Sequence, residues 1–166
     1  MPEPAAKDLQ AKVLTVSDGV AAGTREDRSG RALAERLRAG GYVVVEQRVS
    51  ADGVDAVADV LRVLTAGFAG LVVTTGGTGF GPRDLTPEGT RAVIEREAPG
   101  LAEAMRRASD ADGRGFGMLS RGVCGVVGTA LVCNLPGSSS GAVECLESVL
   151  PVLPHALDLL AGGRPH

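Results

Sequence analysis

Apolar positions along this chain fall into short runs broken by glycine-rich or polar turns, and two spacings alternate. Val13 to Val16 (V-L-T-V) is an apolar run ending in the turn Ser17-Asp18-Gly19, which predicts a buried strand with a loop at its carboxyl end. Ser29 is placed to cap a helix carrying Leu33 and Leu37 at i, i+4 spacing and closed by Gly40-Gly41. Tyr42 to Val49 predicts a second strand. Val57, Val60, Leu61 and Leu64 lie on one face of a helix running from about Val54 to Leu64. Gly70 to Thr75 (G-L-V-V-T-T) predicts a third strand. Thr86-Pro87-Glu88 is a helix start, with Thr86 as cap and Pro87 in the first turn. Pro99-Gly100 breaks that helix, which resumes over Leu101 to Ser109. Asp110 to Gly117 (D-A-D-G-R-G-F-G) reads as a flexible connection. Val123 to Val127 and Ala130 to Leu135 predict a strand pair through Gly128-Thr129. Ser138 to Leu160 is largely helical, interrupted at Pro151 and Pro154.

Strands alternating with helices predict an α/β fold: three layers, with a mostly parallel sheet flanked by helices. Residues 1–10 read as a loose N-terminal tail and 11–162 as one domain, with no linker or internal repeat. In such sheets ligands bind beyond the carboxyl ends of the strands. Three polar loops meet that condition, starting at Ser17, at Thr74 and at Asn134.

Composition narrows the function. Aromatic residues make up 2% of the 166-residue chain, which argues against stacking bases on aromatic rings. A net charge of −3 without any basic run argues against a nucleic-acid backbone partner. No apolar run approaches the ~18 residues that span a bilayer. Cys124, Cys133 and Cys145 have no C-x-x-C spacing and fit buried thiols in a reducing compartment. The resulting expectation is a cytoplasmic protein with no membrane partner. A small anionic ligand remains compatible, because backbone dipoles bind it whatever the net charge.

The stretch Thr74-Thr75-Gly76-Gly77-Thr78-Gly79-Phe80-Gly81-Pro82-Arg83-Asp84 is the first candidate for such a ligand. It is not a Walker loop, since the only lysines, Lys7 and Lys12, lie far upstream. It is not a dinucleotide fingerprint either: counted from Gly77, the last glycine position of G-x-G-x-x-G falls on Pro82. Consecutive glycines still let backbone amides turn toward an anion. The alternative is a plain tight turn. Gly137-Ser138-Ser139-Ser140-Gly141 matches G-x-S-x-G between a strand and a helix, which raises a serine hydrolase acting through Ser139. No aspartate lies between Ser139 and His155, and the other histidine, His166, is the last residue, so the triad order is poorly met. The same hydroxyls and free amides at a helix start suit an anion. Asp18, Asp27, Asp52 and Asp84 all lie near strand ends. Loop aspartates commonly serve as turn or cap residues, and Asp52 before Gly53 fits that role. Two carboxylates beside phosphate-binding amides, Asp52 and Asp84, are also a usual way to hold Mg²⁺.

Thr74 to Gly79 followed by Arg83-Asp84 and Thr86-Pro87-Glu88 resembles the signature of the Mog/MoaB-type molybdenum-cofactor proteins, shared with the gephyrin G domain. Val16-Ser17-Asp18, Glu26-Asp27-Arg28-Ser29-Gly30, Leu119-Ser120-Arg121, Asn134-Leu135-Pro136-Gly137 and Glu144-Cys145-Leu146 continue the resemblance in the same order, over roughly residues 11 to 160. The resemblance implies a single α/β domain that forms a homotrimer and adenylylates molybdopterin with Mg-ATP, releasing pyrophosphate. It assigns molybdopterin to Thr75, Gly76, Gly77, Thr78 and Gly79 together with Pro136, Gly137 and Ser138. Asp18, Ser29 and Gly30 would contact the nucleotide. Asp52 and Asp84 would be the catalytic acids, acting through Mg²⁺. Product would pass to a molybdenum insertase. A second member type within the same resemblance binds molybdopterin without efficient adenylyl transfer.

Overall fold

A computed structural model of the chain describes residues 8–163. β1 (Leu9–Val16) leads through Ser17 into a short helix, α1 (Asp18–Ala21), and then α2 (Arg28–Ala39). Leu9 and Gln10, expected in the tail, pair with Tyr42 and Val43 as the start of β1. Residues 1–7 of that tail lie outside the described region. α2 is capped by Asp27 rather than Ser29: the Asp27 carboxylate accepts from Gly30 N–H at 3.0 Å. It wins because Thr15 Oγ1 donates to the same carboxylate at 2.9 and 3.0 Å, anchoring it to β1.

β2 (Tyr42–Ser50), α3 (Val54–Thr65) and β3 (Gly70–Thr75) follow as the apolar spacing predicts. The helix after the glycine loop differs from expectation. α4 (Thr86–Arg91) is short, and a two-residue strand, β4 (Arg96–Glu97), precedes α5 (Pro99–Ser109). Pro99 therefore opens a helix instead of interrupting one, in the first-turn position where a missing N–H costs nothing. A 3-10 turn over Phe116–Leu119 follows the glycine-rich connection. β5 (Cys124–Val127) and β6 (Ala130–Leu135) form the expected hairpin; α6 (Ser139–Val149) and α7 (Leu153–Leu160) complete the chain. Among the described residues no helix is long and apolar enough to cross a membrane.

The six strands lie in the order β2-β1-β3-β6-β5-β4. β2, β1, β3 and β6 are parallel, and β5 runs antiparallel to β6 and to β4. All six residues of β3 are buried, as a strand covered on both faces requires. On one face Leu33 and Leu37 of α2 pack with Ala11, Val13 and Val73, beside apolar residues of α5, α6 and α7. On the other, Val57, Leu61 and Leu64 of α3 cover Leu14, Val16, Val72 and Val132. Each fully buried leucine contributes about 1.5–3 kcal/mol. This is a three-layer α/β fold.

Cys124, Cys133 and Cys145 are all buried free thiols. Burial pushes the Cys145 thiol up, so it is neutral and unreactive at physiological pH.

Parallel pairing puts the carboxyl ends of four strands at one edge. Val16 lies beside Ser50, Thr15 beside Thr75, and Thr75 beside Leu135. The chain leaves β1 toward β2 on one side and returns as β3 on the other. That reversal opens a crevice beyond the β1 and β3 ends.

Candidate active site

A cleft of about 700 Å³ fills this crevice. Its lining includes Ser17 after β1, Asp52 after β2, Thr75 to Gly77 and Asp84 after β3, and Gly137 and Ser138 after β6. Ser29 of α2 faces it too. Eight of the sequence-predicted site residues thus meet in one hollow.

Backbone chemistry explains what the glycine loop can do. Gly76 and Gly77 have φ of +102° and +67°, the region that favours glycine. A Cβ on Gly76 would lie 2.2 Å from Val16 O, and one on Gly77 would lie 2.2 Å from Thr86 Oγ1. The loop carbonyls are all held by protein donors. Thr86 Oγ1 donates to Gly76 O (2.9 Å), Thr86 N–H to Gly77 O (3.1 Å), Arg121 N–H to Thr78 O (2.9 Å) and Arg121 Nε to Gly79 O (2.8 Å). By contrast the amides of Gly77, Thr78 and Gly79 donate to no described residue. Carbonyls tied back and amides left over are the anatomy of an anion nest. Thr86, expected to cap its helix, instead spends its hydroxyl on this loop.

The β6 loop closes the nest from the other side. Thr75 Oγ1 donates to Pro136 O at 2.7 Å and Gly76 N–H donates to Leu135 O at 3.2 Å. A Cβ on Gly137 would stand 3.4 Å from Gly76 Cα, so the two loops meet backbone to backbone. Ser138 caps α6 by accepting from Gly141 N–H at 3.2 Å. The G-S-S-S-G run is thus a helix cap, and Ser139 is the first residue of the helix with no hydrogen bond from its hydroxyl to a described residue.

Asp52 and Asp84 face the cleft from different loops. Asp52 Oδ2 accepts from Asp18 N–H at 2.9 Å, and Asp84 Oδ2 accepts from Gly81 N–H at 2.9 Å. Oδ1 of each has no hydrogen-bond partner among the described residues. Asp52 Oδ1 stands over Gly77, 3.2 Å from where a Cβ would be. Two hard carboxylate oxygens beside unbonded loop amides have the donor chemistry that Mg²⁺ prefers. Among the described residues no group of three or more His, Cys, Asp or Glu could hold a metal; Asp52 and Asp84 make two.

Asp18, Gly30, Thr78, Gly79 and Pro136 do not line the cleft, though each is a chain neighbour of a residue that does or contacts one. Asp18 is occupied by Arg83, which donates Nε to Oδ2 at 2.9 Å and Nη2 to Oδ1 at 3.0 Å. This pairing holds the Asp18 carboxyl below its ordinary range. Gly30 is required for a different reason. A Cβ there would strike Thr15 Oγ1 and the Asp27 carboxylate, breaking the α2 cap.

Arg25 and Arg28 line the cleft and were not singled out from the sequence. Isolated arginines in a polar loop carry no local signal; only the return of that loop over the β1 end brings them to the site. They add positive charge beside two carboxylates.

Known proteins resemble this chain in sequence and fold. A family model described as a probable molybdopterin binding domain matches residues 12–155. The chain is 37% identical over 156 residues to the molybdopterin adenylyltransferase of Helicobacter pylori strain J99, covering 91% of this chain and 87% of that protein. Its fold superposes on the molybdopterin biosynthesis enzyme MoaB of Thermus thermophilus with a TM-score of 0.86 at 46% identity, covering 93% of this chain and 97% of the other. Other relatives are longer: the chain spans 48% of a molybdenum cofactor biosynthesis bifunctional protein from Chlorobaculum tepidum and 15% of the cinnamon protein of Drosophila melanogaster. With the glycine nest, the paired acids and the strand-end cleft all in place, the chain belongs to the molybdopterin-binding domain family of MoaB and Mog.

Proposed function

We propose that this protein acts in molybdenum cofactor biosynthesis as a molybdopterin adenylyltransferase. The terminal phosphate of molybdopterin attacks the α-phosphorus of ATP; the bond to the β-phosphate oxygen breaks and pyrophosphate leaves. The substrate supplies the nucleophile, in keeping with a cleft that lines up no activated serine, cysteine or lysine.

The observation that carries this reading is the loop of Gly76 to Gly79, with its carbonyls held and its amides left for an anion, beside Asp52 and Asp84 in one cleft. The nest receives the pterin phosphate, and Gly137 and Ser138 close on it. Ser29, Arg25 and Arg28 face the nucleotide side, where cations offset the triphosphate. Asp52 and Asp84 would hold Mg²⁺, which would supply neutralisation of phosphate charge for an in-line transfer. The protein's share is orientation, placing two anionic substrates at attack distance. A homotrimer belongs to the same reading, as does delivery of the adenylylated pterin to a molybdenum insertase.

The test is incubation of purified protein with molybdopterin, ATP and Mg²⁺, followed by detection of adenylyl-molybdopterin and pyrophosphate. Both products are expected, in equal amounts. Tight pterin binding with neither product would replace the enzyme with a binding member of the family. Sedimentation of the same preparation reads the oligomer.

A further inference from the structure

The turn that presents Asp84 is held by polar contacts, among them the bonds of Arg83 to Asp18 and Asp52, and not by packing. Phe80, Gly81, Pro82 and Arg83 are exposed, Phe80 at 73%. No core packing fixes them, so the direction of the Asp84 carboxylate depends on hydrogen bonds. Inside the turn Gly81 and Asp84 bond reciprocally: Gly81 N–H donates to Asp84 Oδ2 and Asp84 N–H donates to Gly81 O at 3.0 Å. From outside, one side chain reaches across it. Arg121 donates Nε to Gly79 O, at the entrance of the turn, and Nη2 to Asp84 O, at its exit. Its third arm, Nη1, donates to Glu88 Oε1 in α4, and its own N–H holds Thr78 O. The remaining oxygen, Glu88 Oε2, is buried without a partner among the described residues, so Arg121 is the group that satisfies this carboxylate. Arg121 holds the Glu88 carboxyl below its usual range, keeping the pair charged at neutral pH.

We propose that Arg121 is a positioning residue for Asp84: its guanidinium clamps the two ends of the Gly79–Asp84 turn to α4 and so aims the carboxylate into the cleft. The proposal rests on the adenylyl-transfer reading for its kinetic consequence but not for its structural one. Arg121 does not line the main cleft; it lines a second hollow of about 380 Å³ behind the turn, with Arg91, Arg106 and Ser120. It therefore acts on substrate through Asp84. Three acceptors are met by one rigid planar fork, which a lysine ammonium on a flexible stem does not reproduce.

Arg121→Lys and Arg121→Ala test this in two ways. Kinetically, kcat is expected to fall about 10- to 100-fold, as for other partners that orient a metal-holding group. KM for molybdopterin should rise by less than kcat falls, because Thr86 and the backbone amide of residue 121 still hold the carbonyls of Gly76, Gly77 and Thr78; the Mg²⁺ concentration for half-activation should rise, and millimolar guanidinium, entering from the second hollow, should restore part of kcat in Arg121→Ala but not in Arg121→Lys. Independently of activity, hydrogen exchange should quicken at the two bonded amides of the turn, those of Gly81 and Asp84, while β3 and α3 keep their protection. If the wild type makes no adenylyl product, the exchange arm alone decides the clamp. Unchanged exchange in the turn, exchange quickened throughout the domain, or a raised molybdopterin KM at constant kcat would each overturn the proposal.

Discussion

Asp18 and Asp52 hold one another through their backbones: the amide of Asp18 donates to Asp52 Oδ2 at 2.9 Å, and the amide of Asp52 donates to Asp18 Oδ1 at 3.1 Å. Two carboxylates from the ends of adjacent strands thus stand side by side. Arg83 balances them, with its bidentate grip on Asp18 and a bond from Nη2 to Asp52 O at 3.0 Å. The loop that carries Asp84 is in this way joined to the loop that carries Asp52, through the residue just before Asp84.

The Arg83 contact predicts a pH effect. It lowers the Asp18 pKa from an ordinary 3.8, so the stabilisation is complete above that value and is lost as pH falls through the lowered one. Arg83→Gln should melt below wild type at pH 5 to 7, and the gap should narrow as pH falls below 3.8 through the lowered pKa. The exposed pair makes the gap small. Thermal melts from pH 7 down into the acid range measure it; a gap that did not narrow at all below pH 3.8 would mean that Arg83 acts through something other than Asp18.

Asp84→Asn and Asp52→Asn should each bind molybdopterin but turn over poorly. An amide keeps the shape and the bond from Gly81 or Asp18 while removing the negative charge. Loss of charge stabilisation worth several kcal/mol corresponds to at least about 100-fold in kcat. Single-turnover rates at saturating ATP, next to a pterin-binding isotherm, separate the two effects. A variant with full rate removes its aspartate from the chemistry.

Gly77→Ala should abolish ligand binding at modest cost to the fold. At φ +67° alanine costs roughly 1–2 kcal/mol, and its methyl would meet Thr86 Oγ1 at 2.2 Å. Thr86 would have to release Gly76 O, and the nest would open. The molybdopterin Kd should rise at least about tenfold, roughly 1.4 kcal/mol. Equilibrium dialysis tests this, with circular dichroism as the control for folding.

Arg25→Ala should act on the nucleotide side alone. Arg25 lines the cleft beside Asp27 and makes no ion pair among the described residues, so its charge is available to a triphosphate. An exposed cation on an anion contributes about 1 kcal/mol, which raises KM for ATP about fivefold. KM for molybdopterin should not move; if it did, the two substrates would lie the other way round in the cleft.

The parts of this protein legible in its sequence are those governed by spacing. Val57, Leu61 and Leu64 repeat with helical period and do cover the sheet. Gly128-Thr129 between two apolar runs does make a hairpin. The glycines after Thr75 do turn the chain through positive φ, at Gly76 and Gly77, and leave loop amides unbonded. What spacing did not reveal depends on partners far along the chain. Ser29 looked like a cap, but Thr15, twelve residues before Asp27, fixes Asp27 in that role. Thr86 looked like a cap until Gly76 O claimed its hydroxyl. α1, at four residues, is too short to show a period. The meeting of Arg121 with Gly79 spans 42 positions, which no local pattern records.

Asn134 gives the clearest stability prediction. It is 3% exposed, and its side chain joins its own strand β6 to β3, to α4 and to the residue before β5. Nδ2 donates to Thr74 Oγ1 in β3 at 3.0 Å and to Thr90 Oγ1 in α4 at 2.9 Å, while Oδ1 accepts from Val123 N–H at 3.1 Å beside β5. Thr90 Oγ1 in turn donates to Thr86 O, so the network reaches the residue that ties down the glycine loop. Asn134→Ala would leave the Val123 amide buried without an acceptor, at about 1–3 kcal/mol. It would also leave a void in place of the amide and loosen α4 from the sheet. The expected result is a loss of about 2–4 kcal/mol in urea unfolding, with the midpoint shifted and the slope unchanged. Asn134→Asp, which keeps the bond from Val123, should lose the two threonine contacts and place a buried charge there, so it should be the less stable of the two at pH 7 and recover as the carboxyl is protonated. An aspartate variant as stable as wild type at pH 7 would mean that this interior is wetter than its burial indicates.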